Sequence, residues 1–332
     1  MRVVLFSSQS YDRGPFEEAN KTFNHEIIYH NFSLNKDTVS LAGKAQVVCV
    51  FVNDQVDADT LKALAENGVK LVALRCGGYN NVNLKAASEY KITVVHVPSY
   101  SPFAVSEFTV GLLLSLNRKI HRAYVRVRED DFNIVGLLGC DIHGKTVGVI
   151  GTGKIGSNVA KCFKMGFGCD VLAYDINPDK KLENYGVQFV EQNEVLKKAD
   201  FLCLHCPLTP STTHIVNSDS LALMKKGVTI VNTSRGGLID TKALVDAIDS
   251  GQVGGCAIDV YEGERNLFYK DLSNEVIKDS TFQRLVNFPN VLVTSHQAFF
   301  TTEALCSIAH TTLKSASDFY TNSLDESVIA NK

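Results

Sequence analysis

The sequence lacks the long apolar run that a membrane span requires. No stretch of the 332 residues approaches 18 consecutive apolar residues, so we expect no transmembrane helix. The apolar run after Met1 is too short for a signal peptide, and no small-residue cleavage site follows it. Basic residues are not in excess, because the net charge is −3, so nothing in the composition indicates nucleic-acid binding. We expect a cytoplasmic protein with no membrane and no nucleic-acid partner.

The chain also lacks the paired cysteine motifs of zinc and haem sites. Its nine cysteines are scattered, and Pro207 follows the C-x-x-C pair Cys203 and Cys206, where a haem-attachment site has His. No second pair completes a zinc site, so we expect no metal. The pair ends an apolar run, which is typical of a buried strand with reduced thiols.

What the sequence does contain is a long alternation of short apolar runs and helical patterns, which is typical of parallel α/β sheets. The length and the hydrophobic content of 45% favour two domains. The runs are rich in β-branched residues, as expected for strands that helices cover on both faces. The predicted strands comprise residues 2–7, 26–31, 47–52, 70–74, 92–96, 146–150, 170–174, 188–190, 201–205, 229–232, 255–259 and 291–294. The predicted helices comprise residues 59–66, 83–89, 102–128, 153–165, 191–198, 218–224, 241–250 and 301–321.

The predicted helix 102–128 has many basic residues in its second half. Pro102 suits its first turn. The basic side chains favour a solvated or inter-subunit face, and an anion site is the alternative. They are Arg118, Lys119, His121, Arg122, Arg126 and Arg128.

A glycine-rich turn joins a predicted strand to a predicted helix in the middle of the chain. Its first glycine permits a tight turn, its second lets the backbone approach a pyrophosphate, and its third allows close packing of helix on strand. The helix N-terminus adds free N–H groups and the positive end of a dipole. The cofactor-binding candidates of this turn are Gly151, Thr152, Gly153, Lys154, Ile155 and Gly156.

Asp175 ends the next predicted strand, near the spacing of roughly 20 residues that dinucleotide folds show after the last glycine. Its carboxylate would accept hydrogen bonds from the adenosine ribose hydroxyls, and its charge would repel a 2′-phosphate. The segment from Val147 to Asp175 therefore predicts a site for NAD rather than NADP.

Three polar segments follow predicted strands in the second half of the chain, where ligands of parallel sheets bind. They contain Arg235, then Asp259 with Glu262 and Glu264, and finally His296. A guanidinium can clamp a carboxylate or polarise a carbonyl. An imidazole beside a carboxylate can form an acid–base pair. We therefore predict a catalytic arrangement beside the nicotinamide, the alternative being structural roles for each residue.

These segments resemble the D-2-hydroxyacid dehydrogenase family, and within it the fermentative D-lactate dehydrogenase branch. The resemblance extends over nearly the whole chain. The matching segments, in order, are residues 151–156, 232–240, 259–264 and 296–299. Those that match the branch in particular are residues 75–82, 97–102 and 259–265.

The resemblance implies a role for each matching residue. Arg235 would bind the substrate carboxylate, and His296, paired with Glu264 rather than Glu262, would be the acid–base residue. The substrate site would also include the Gly77 and Gly78 backbone, Tyr100 and Phe299. The cofactor cleft would be lined by Cys206, Pro207, Thr212, Thr233, Ser234, Arg235, His296 and Asp259, the last of these near the nicotinamide carboxamide.

The fold implied by the resemblance has two Rossmann-like domains with parallel sheets and an active site in the cleft between them. A discontinuous substrate domain would comprise residues 1–100 and 299–332, and the NAD-binding domain would be inserted as residues 101–298. The implied activity is reversible hydride transfer between NADH and pyruvate, giving D-lactate, in a homodimer or homotetramer. Two alternatives are a reductase of glyoxylate, hydroxypyruvate or a branched 2-oxoacid, and an NAD-sensing binding protein of the transcriptional corepressor type.

Overall fold

The computed structural model describes all 332 residues, and the chain divides into two compact units. One comprises Met1–Ser101 with Phe300–Lys332, and the other comprises Pro102–Phe299. Each is an α/β unit on a parallel sheet, which confirms the predicted fold class. None of the helices combines the length and the apolar character that crossing a membrane requires.

The strands and helices alternate along the chain, and every predicted strand is present within two residues at each end. The strands are β1 (Arg2–Leu5), β2 (Glu26–Tyr29), β3 (Val47–Val50), β4 (Leu71–Leu74), β5 (Thr93–Val95), β6 (Thr146–Ile150), β7 (Asp170–Tyr174), β8 (Gln188–Phe189), β9 (Phe201–Leu204), β10 (Val228–Asn232), β11 (Val253–Ile258) and β12 (Val291–Val293). The helices are α1 (Ser10–Phe23), α2 (Ala58–Glu66), α3 (Leu84–Glu89), α4 (Pro102–Asn117), α5 (Ile120–Arg128), α6 (Lys154–Lys161), α7 (Gln192–Lys198), α8 (Ser218–Leu223), α9 (Thr241–Asp249), α10 (Ser280–Asn287) and α11 (Thr302–Tyr320).

The first unit has a five-stranded sheet in the order β2-β1-β3-β4-β5. The C-terminal helix α11 belongs to this unit because its apolar residues repeat at helical spacing, and Ala309 and Leu313 pack in one core with Val3 and Leu5 of β1. Beyond α11, Ile329 forms an antiparallel bridge with β5. Residues from both ends of the chain therefore form the first unit.

The second unit has a seven-stranded sheet in the order β12-β11-β10-β9-β6-β7-β8. Both faces of this sheet are buried: on β6, Val147 and Val149 pack in one hydrophobic core while Ile150 packs in another. The strand order reverses between β6 and β9. The helix that follows β6 packs on one face of the sheet, and the helix that follows β9 packs on the other. Such a switch point is where open parallel sheets bind ligands.

The structure corrects one helical prediction and adds two helices that were not predicted. A single helix over residues 102–128 was wrong, because Lys119 adopts a left-handed backbone (φ +55°) and separates α4 from α5. Helix α1 was not predicted, since Gly14 and Pro15 weaken its helical pattern, but burial of Phe16 holds it. Helix α10 was also missed, although Asp279 caps it by accepting the amide of Phe282.

The basic segment of the broken helix lies at the surface. Helix α5 buries none of its residues, and Arg126 lies 3.7 Å from the carboxylate of Asp131. Several large apolar side chains near it are exposed as well, among them Tyr124 and Leu138. This exposure is what the predicted solvated or inter-subunit face requires.

Candidate active site

The glycine turn joins β6 to α6 at the switch point of the second sheet. Gly151 has a φ of +93°, and a Cβ there would lie 2.4 Å from the amide nitrogen of Cys206. A Cβ on Gly156 would lie 1.9 Å from the carbonyl oxygen of Gly151. Both positions therefore require glycine. The turn is packed against the end of β9, where the His205 amide donates to the Ile150 carbonyl at 2.7 Å.

The N-terminus of α6 fits an anionic ligand. Gly153 is its N-cap residue, and no side chain caps the first turn. Nothing lies within 4 Å of the position that a Cβ on Gly153 would occupy, so the backbone is open to close approach. The amide groups of Lys154, Ile155 and Gly156 and the helix dipole can thus hold a pyrophosphate.

Asp175 follows β7 and also stabilises the turn. Its Oδ2 accepts the Thr152 amide at 2.5 Å and the Thr152 hydroxyl at 3.1 Å, and its Oδ1 accepts the Asn177 amide at 2.8 Å. A carboxylate has about four acceptor sites, so capacity remains for a ribose hydroxyl. Its negative charge opposes a 2′-phosphate at the same place.

Among the cofactor candidates after β9 and β10, side-chain hydroxyls are hydrogen-bonded to backbone carbonyls. The Ser234 hydroxyl donates to the Cys206 carbonyl at 2.8 Å, and the Thr212 hydroxyl donates to the Pro207 carbonyl at 2.6 Å. The hydroxyl of Thr233 is different, because it is buried and lies 2.7 Å from that of Thr109 on α4. This hydrogen bond therefore holds the end of β10 against α4.

The C-x-x-C pair is part of the buried strand end, as predicted. Burial raises the pKa of Cys203 to about 12 and that of Cys206 to about 11, so both remain thiols. All nine cysteines are free of disulfides. No group of three or more His, Cys, Asp or Glu side chains is arranged to hold a metal ion.

Arg235 follows β10 on a tightly constrained loop. The side-chain amide of Asn232 donates to the Arg235 carbonyl at 2.9 Å, and its oxygen accepts the Ser234 amide at 3.0 Å. A Cβ on Gly236 would lie 2.1 Å from the carbonyl carbon of Tyr261, so this loop packs directly on the loop after β11. Sequence reasoning assigned no role to Asn232, although a polar Asn at the end of an apolar predicted strand was a signal.

The guanidinium of Arg235 is half-buried and donates to the Ser234 carbonyl at 2.6 Å. It forms no ion pair with Glu264, so its charge is not neutralised there. The other N–H groups of the fork can bind a carboxylate in the bidentate way that this side chain favours.

Glu264 and His296 are brought together by the loops after β11 and β12. Oε1 of Glu264 lies 2.8 Å from Nδ1 of His296, and the two side chains are only 19% and 15% exposed. The other oxygen of Glu264 accepts the Tyr261 amide at 2.9 Å, which orients the carboxylate. Because Nδ1 faces the carboxylate, Nε2 is the nitrogen that can exchange a proton with a substrate.

Glu262 is engaged elsewhere. Its Oε1 accepts the Thr241 amide at 3.1 Å, and its Oε2 lies 3.1 Å from Nε2 of His214. The structure thus places Glu264, and not Glu262, beside His296.

Asp259 supports the loop that carries His296. Its carboxylate is fully buried and accepts the Thr294 hydroxyl at 2.6 Å and the amides of Gln297 at 2.9 Å and Ala298 at 2.8 Å. Burial raises the pKa of Asp259 despite these donors. The His296 amide donates to the Asp259 carbonyl at 2.7 Å, so Asp259 holds the loop through both its side chain and its backbone.

The predicted substrate residues divide between the two units. Gly77, Gly78 and Tyr100 belong to the first, and Phe299, which is buried, belongs to the second. The Gly77 carbonyl lies 2.8 Å from Nδ1 of His96, and the Gly78 carbonyl accepts the Cys76 thiol at 3.2 Å. These contacts fix the loop after β4 through its carbonyl groups. Tyr100 lies next to it, 3.8 Å from the position of a Cβ on Gly77.

Comparison with known proteins places this arrangement in a family. The model of the D-isomer specific 2-hydroxyacid dehydrogenase NAD-binding domain matches residues 110–298. The 2-hydroxyacid dehydrogenase homolog 1 of Schizosaccharomyces pombe is 72% identical over 329 residues, 99% of each chain. The D-lactate dehydrogenase of Escherichia coli is 45% identical over 318 residues, 96% of each chain. Its apo-structure aligns with a TM-score of 0.89 at 41% identity, covering 99% of this chain and 100% of that one.

The chain therefore belongs to the D-isomer specific 2-hydroxyacid dehydrogenase family. The family, the oxidoreductase class and NAD as the cofactor, all predicted from the sequence, are confirmed.

Proposed function

We propose that the chain is an NAD-dependent D-lactate dehydrogenase that reduces pyruvate to D-lactate and catalyses the reverse oxidation. The observation that carries the proposal is the 2.8 Å contact between Glu264 and His296, after strands of the same parallel sheet that carries the dinucleotide turn. Similarity to the D-lactate dehydrogenase of Escherichia coli over 96% of the chain favours pyruvate among the 2-oxoacids.

His296 supplies the proton in this mechanism. NAD held at the glycine turn and Asp175 would, in its reduced form, provide the hydride that the carbonyl carbon of the 2-oxoacid gains. His296 donates its Nε2 proton to the carbonyl oxygen as that oxygen gains negative charge. Glu264 keeps Nδ1 as a hydrogen-bond donor and carries the charge opposite to that of the imidazolium. Because reduction consumes one proton, low pH favours reduction of the 2-oxoacid and high pH favours oxidation of the 2-hydroxyacid.

Arg235 binds the carboxylate of the 2-oxoacid in this proposal. The guanidinium fork matches a carboxylate, and the half-buried position of the side chain strengthens the charge interaction. Its positive charge also stabilises the negative charge that develops on the neighbouring carbonyl oxygen.

The remaining predicted residues complete the proposed site. We assign the first unit as the substrate domain, with the Gly77 and Gly78 amides on the substrate carboxylate and Tyr100 and Phe299 at the border of its pocket. The proposed cofactor contacts beyond the glycine turn and Asp175 are Cys206, Pro207, Thr212, Thr233, Ser234 and Asp259. A cytoplasmic homodimer or homotetramer is the proposed state of the enzyme.

Chiral analysis of the product from pyruvate and NADH tests the proposed activity, and D-lactate is the expected product. A parallel panel measures kcat/KM for glyoxylate, hydroxypyruvate and 2-oxoisocaproate, because one methylene in a pocket changes selectivity by about 1–3 kcal/mol. A higher kcat/KM for one of these acids would contradict the preference for pyruvate. Tight NADH binding with negligible turnover of every acid would contradict an enzymatic function and favour the binding-protein alternative.

His296→Ala tests the assigned acid. We expect kcat to fall by about 10²- to 10⁴-fold, with the Kd for NADH, measured by fluorescence, unchanged within about twofold. His143→Ala is the matched control, because His143 is exposed and its ring makes a single hydrogen bond, with the Phe167 carbonyl at 3.0 Å. Undiminished pyruvate reduction by the His296 variant would overturn the assignment.

A further inference from the structure

Tyr269 lies five residues after Glu264, in the irregular segment between β11 and α10. Its hydroxyl donates to the carbonyl oxygen of His296 at 2.6 Å. Its ring centroid lies 6.1 Å from that of the His296 ring, with the planes tilted by 36°. The tyrosine therefore contacts His296 at its backbone and lies beside its imidazole.

Both residues have an unusual backbone conformation. The φ of Tyr269 is +62° and that of His296 is +55°, in the left-handed region that side-chain-bearing residues seldom adopt. Such a conformation persists only where surrounding contacts hold it. The contacts of His296 therefore decide where its imidazole points.

Two sets of hydrogen bonds hold the His296 backbone, the first at its amide side and the second at its carbonyl. Its amide donates to the Asp259 carbonyl at 2.7 Å, and the next two amides donate to the Asp259 carboxylate. Its carbonyl is held by the hydroxyl of Tyr269. If this hydrogen bond is lost, the His296 peptide can rotate, and rotation carries the ring away from Glu264.

We propose that Tyr269 is a positioning residue for the acid–base histidine: its hydroxyl, bound to the His296 carbonyl, keeps the imidazole aligned with Glu264. This inference rests on the proposed function, which assigns proton transfer to His296. Tyr269 acts on the orientation of His296 and not on the Arg235 guanidinium, which follows another strand. Loss of the hydroxyl therefore lowers kcat and leaves substrate affinity nearly unchanged.

Tyr269→Phe removes the hydroxyl and keeps the ring. We expect this variant to fold, because the adjacent Phe268 is buried and anchors the segment. The net strength of one hydrogen bond predicts a fall in kcat of about 3- to 10-fold, with KM for pyruvate and Kd for NADH within about twofold. Tyr320→Phe is the matched control, because the Tyr320 hydroxyl also donates to a backbone carbonyl, that of Gln46, at 3.2 Å in the first unit.

Tyr269→Asn is the second variant. Asn tolerates a positive φ better than Tyr does, so this change relieves the backbone while it removes the hydroxyl. The same selective fall in kcat in both variants supports the proposal. A kcat equal to that of the wild type in both variants overturns it, and so does a rise in KM as large as the fall in kcat.

A readout without cofactor or substrate separates this inference from the proposed function. The chain has nine histidines, and in ¹⁵N-histidine-labelled protein the His296→Ala variant identifies the ring signals of His296. In Tyr269→Phe these signals should broaden or shift while those of the other histidines stay in place. Unchanged His296 signals overturn the positioning role. Absence of 2-oxoacid turnover in the wild type would instead refute the proposed function.

Discussion

Glu264 lies 2.8 Å from Nδ1 of His296, whereas Glu262, two residues earlier, contacts the Thr241 amide and His214. Two acids that are neighbours in the sequence therefore have different surroundings. Only one of them faces the imidazole that the proposed mechanism uses. The same substitution at the two positions therefore provides a test and its control.

Glu264→Gln should lower kcat for pyruvate reduction by about 10- to 100-fold. A neutral amide cannot balance the imidazolium charge and can hold the ring in the wrong tautomer. Glu262→Gln, the same change two residues away, should leave kcat within about twofold. Steady-state kinetics measure both, and equal losses would contradict the assignment of Glu264.

Asp175→Asn should relax the preference for NADH over NADPH by about tenfold, because the carboxylate no longer repels a 2′-phosphate. The measurement is the ratio of kcat/KM for the two cofactors. Asp170→Asn is the control, since Asp170 begins the same strand and lies near Lys164 on an exposed surface. An unchanged ratio in the Asp175 variant would refute the ribose argument.

Arg75→Met should lower the free energy of unfolding by about 3–5 kcal/mol. Arg75 is only 2% exposed, donates to the carbonyls of Phe6 at 2.9 Å and Ser7 at 2.6 Å, and lies 3.7 Å from Asp12. The substitution keeps the side-chain volume but leaves these buried acceptors without a partner.

Urea denaturation of this variant measures the loss. Lys21→Ala is its control, because the pair with Glu18 is 71% exposed on both sides and should contribute less than about 0.5 kcal/mol. Comparable stability of the two variants would show that the Arg75 contacts are not needed.

His205 should make the fold sensitive to acid. Burial lowers its pKa to about 4, and its Nε2 has no hydrogen-bond partner. The folded chain keeps this histidine neutral while the unfolded chain protonates it below about pH 6.5, so its contribution is present above that pH and is lost as pH falls towards 4. The expected loss between pH 7 and 5 is about 2 kcal/mol.

Between pH 7 and pH 5, the free energy of unfolding of His205→Leu should fall by about 2 kcal/mol less than that of the wild type. Urea denaturation at both pH values measures the difference. His310→Leu, at an exposed position on α11, should behave like the wild type. Equal pH dependence of the wild type and the His205 variant would contradict the prediction.

Secondary structure was predictable wherever one local signal dominated. The β6–turn–α6 unit followed from apolar residues and glycines close together in the chain. The break at Lys119 was not predictable, because the helical pattern continues across it and a lysine in the left-handed conformation has no local signal. Helix α1 was hidden by Pro15 and is stabilised by the burial of Phe16, which is a tertiary effect.

The candidate site divides in the same way. The sequence by itself determined the dinucleotide turn. Local backbone geometry requires Gly151 and Gly156, and the spacing of two adjacent strands places Asp175 beside the turn. The family resemblance pointed to Glu264 as the partner of His296, but the contact itself forms only in the tertiary structure, since the two residues are 32 apart in sequence.

That meeting depends on the register of β11 with β12, which pairs Ile258 with Val293 and so places the loops after both strands side by side. The contact of Tyr269 with His296 depends on the same pairing and has no local signal. Hydrogen bonds between residues far apart in sequence form only when the sheet is assembled, which is why the contacts of His296 with Tyr269 and with the Asp259 backbone could not be predicted from the sequence.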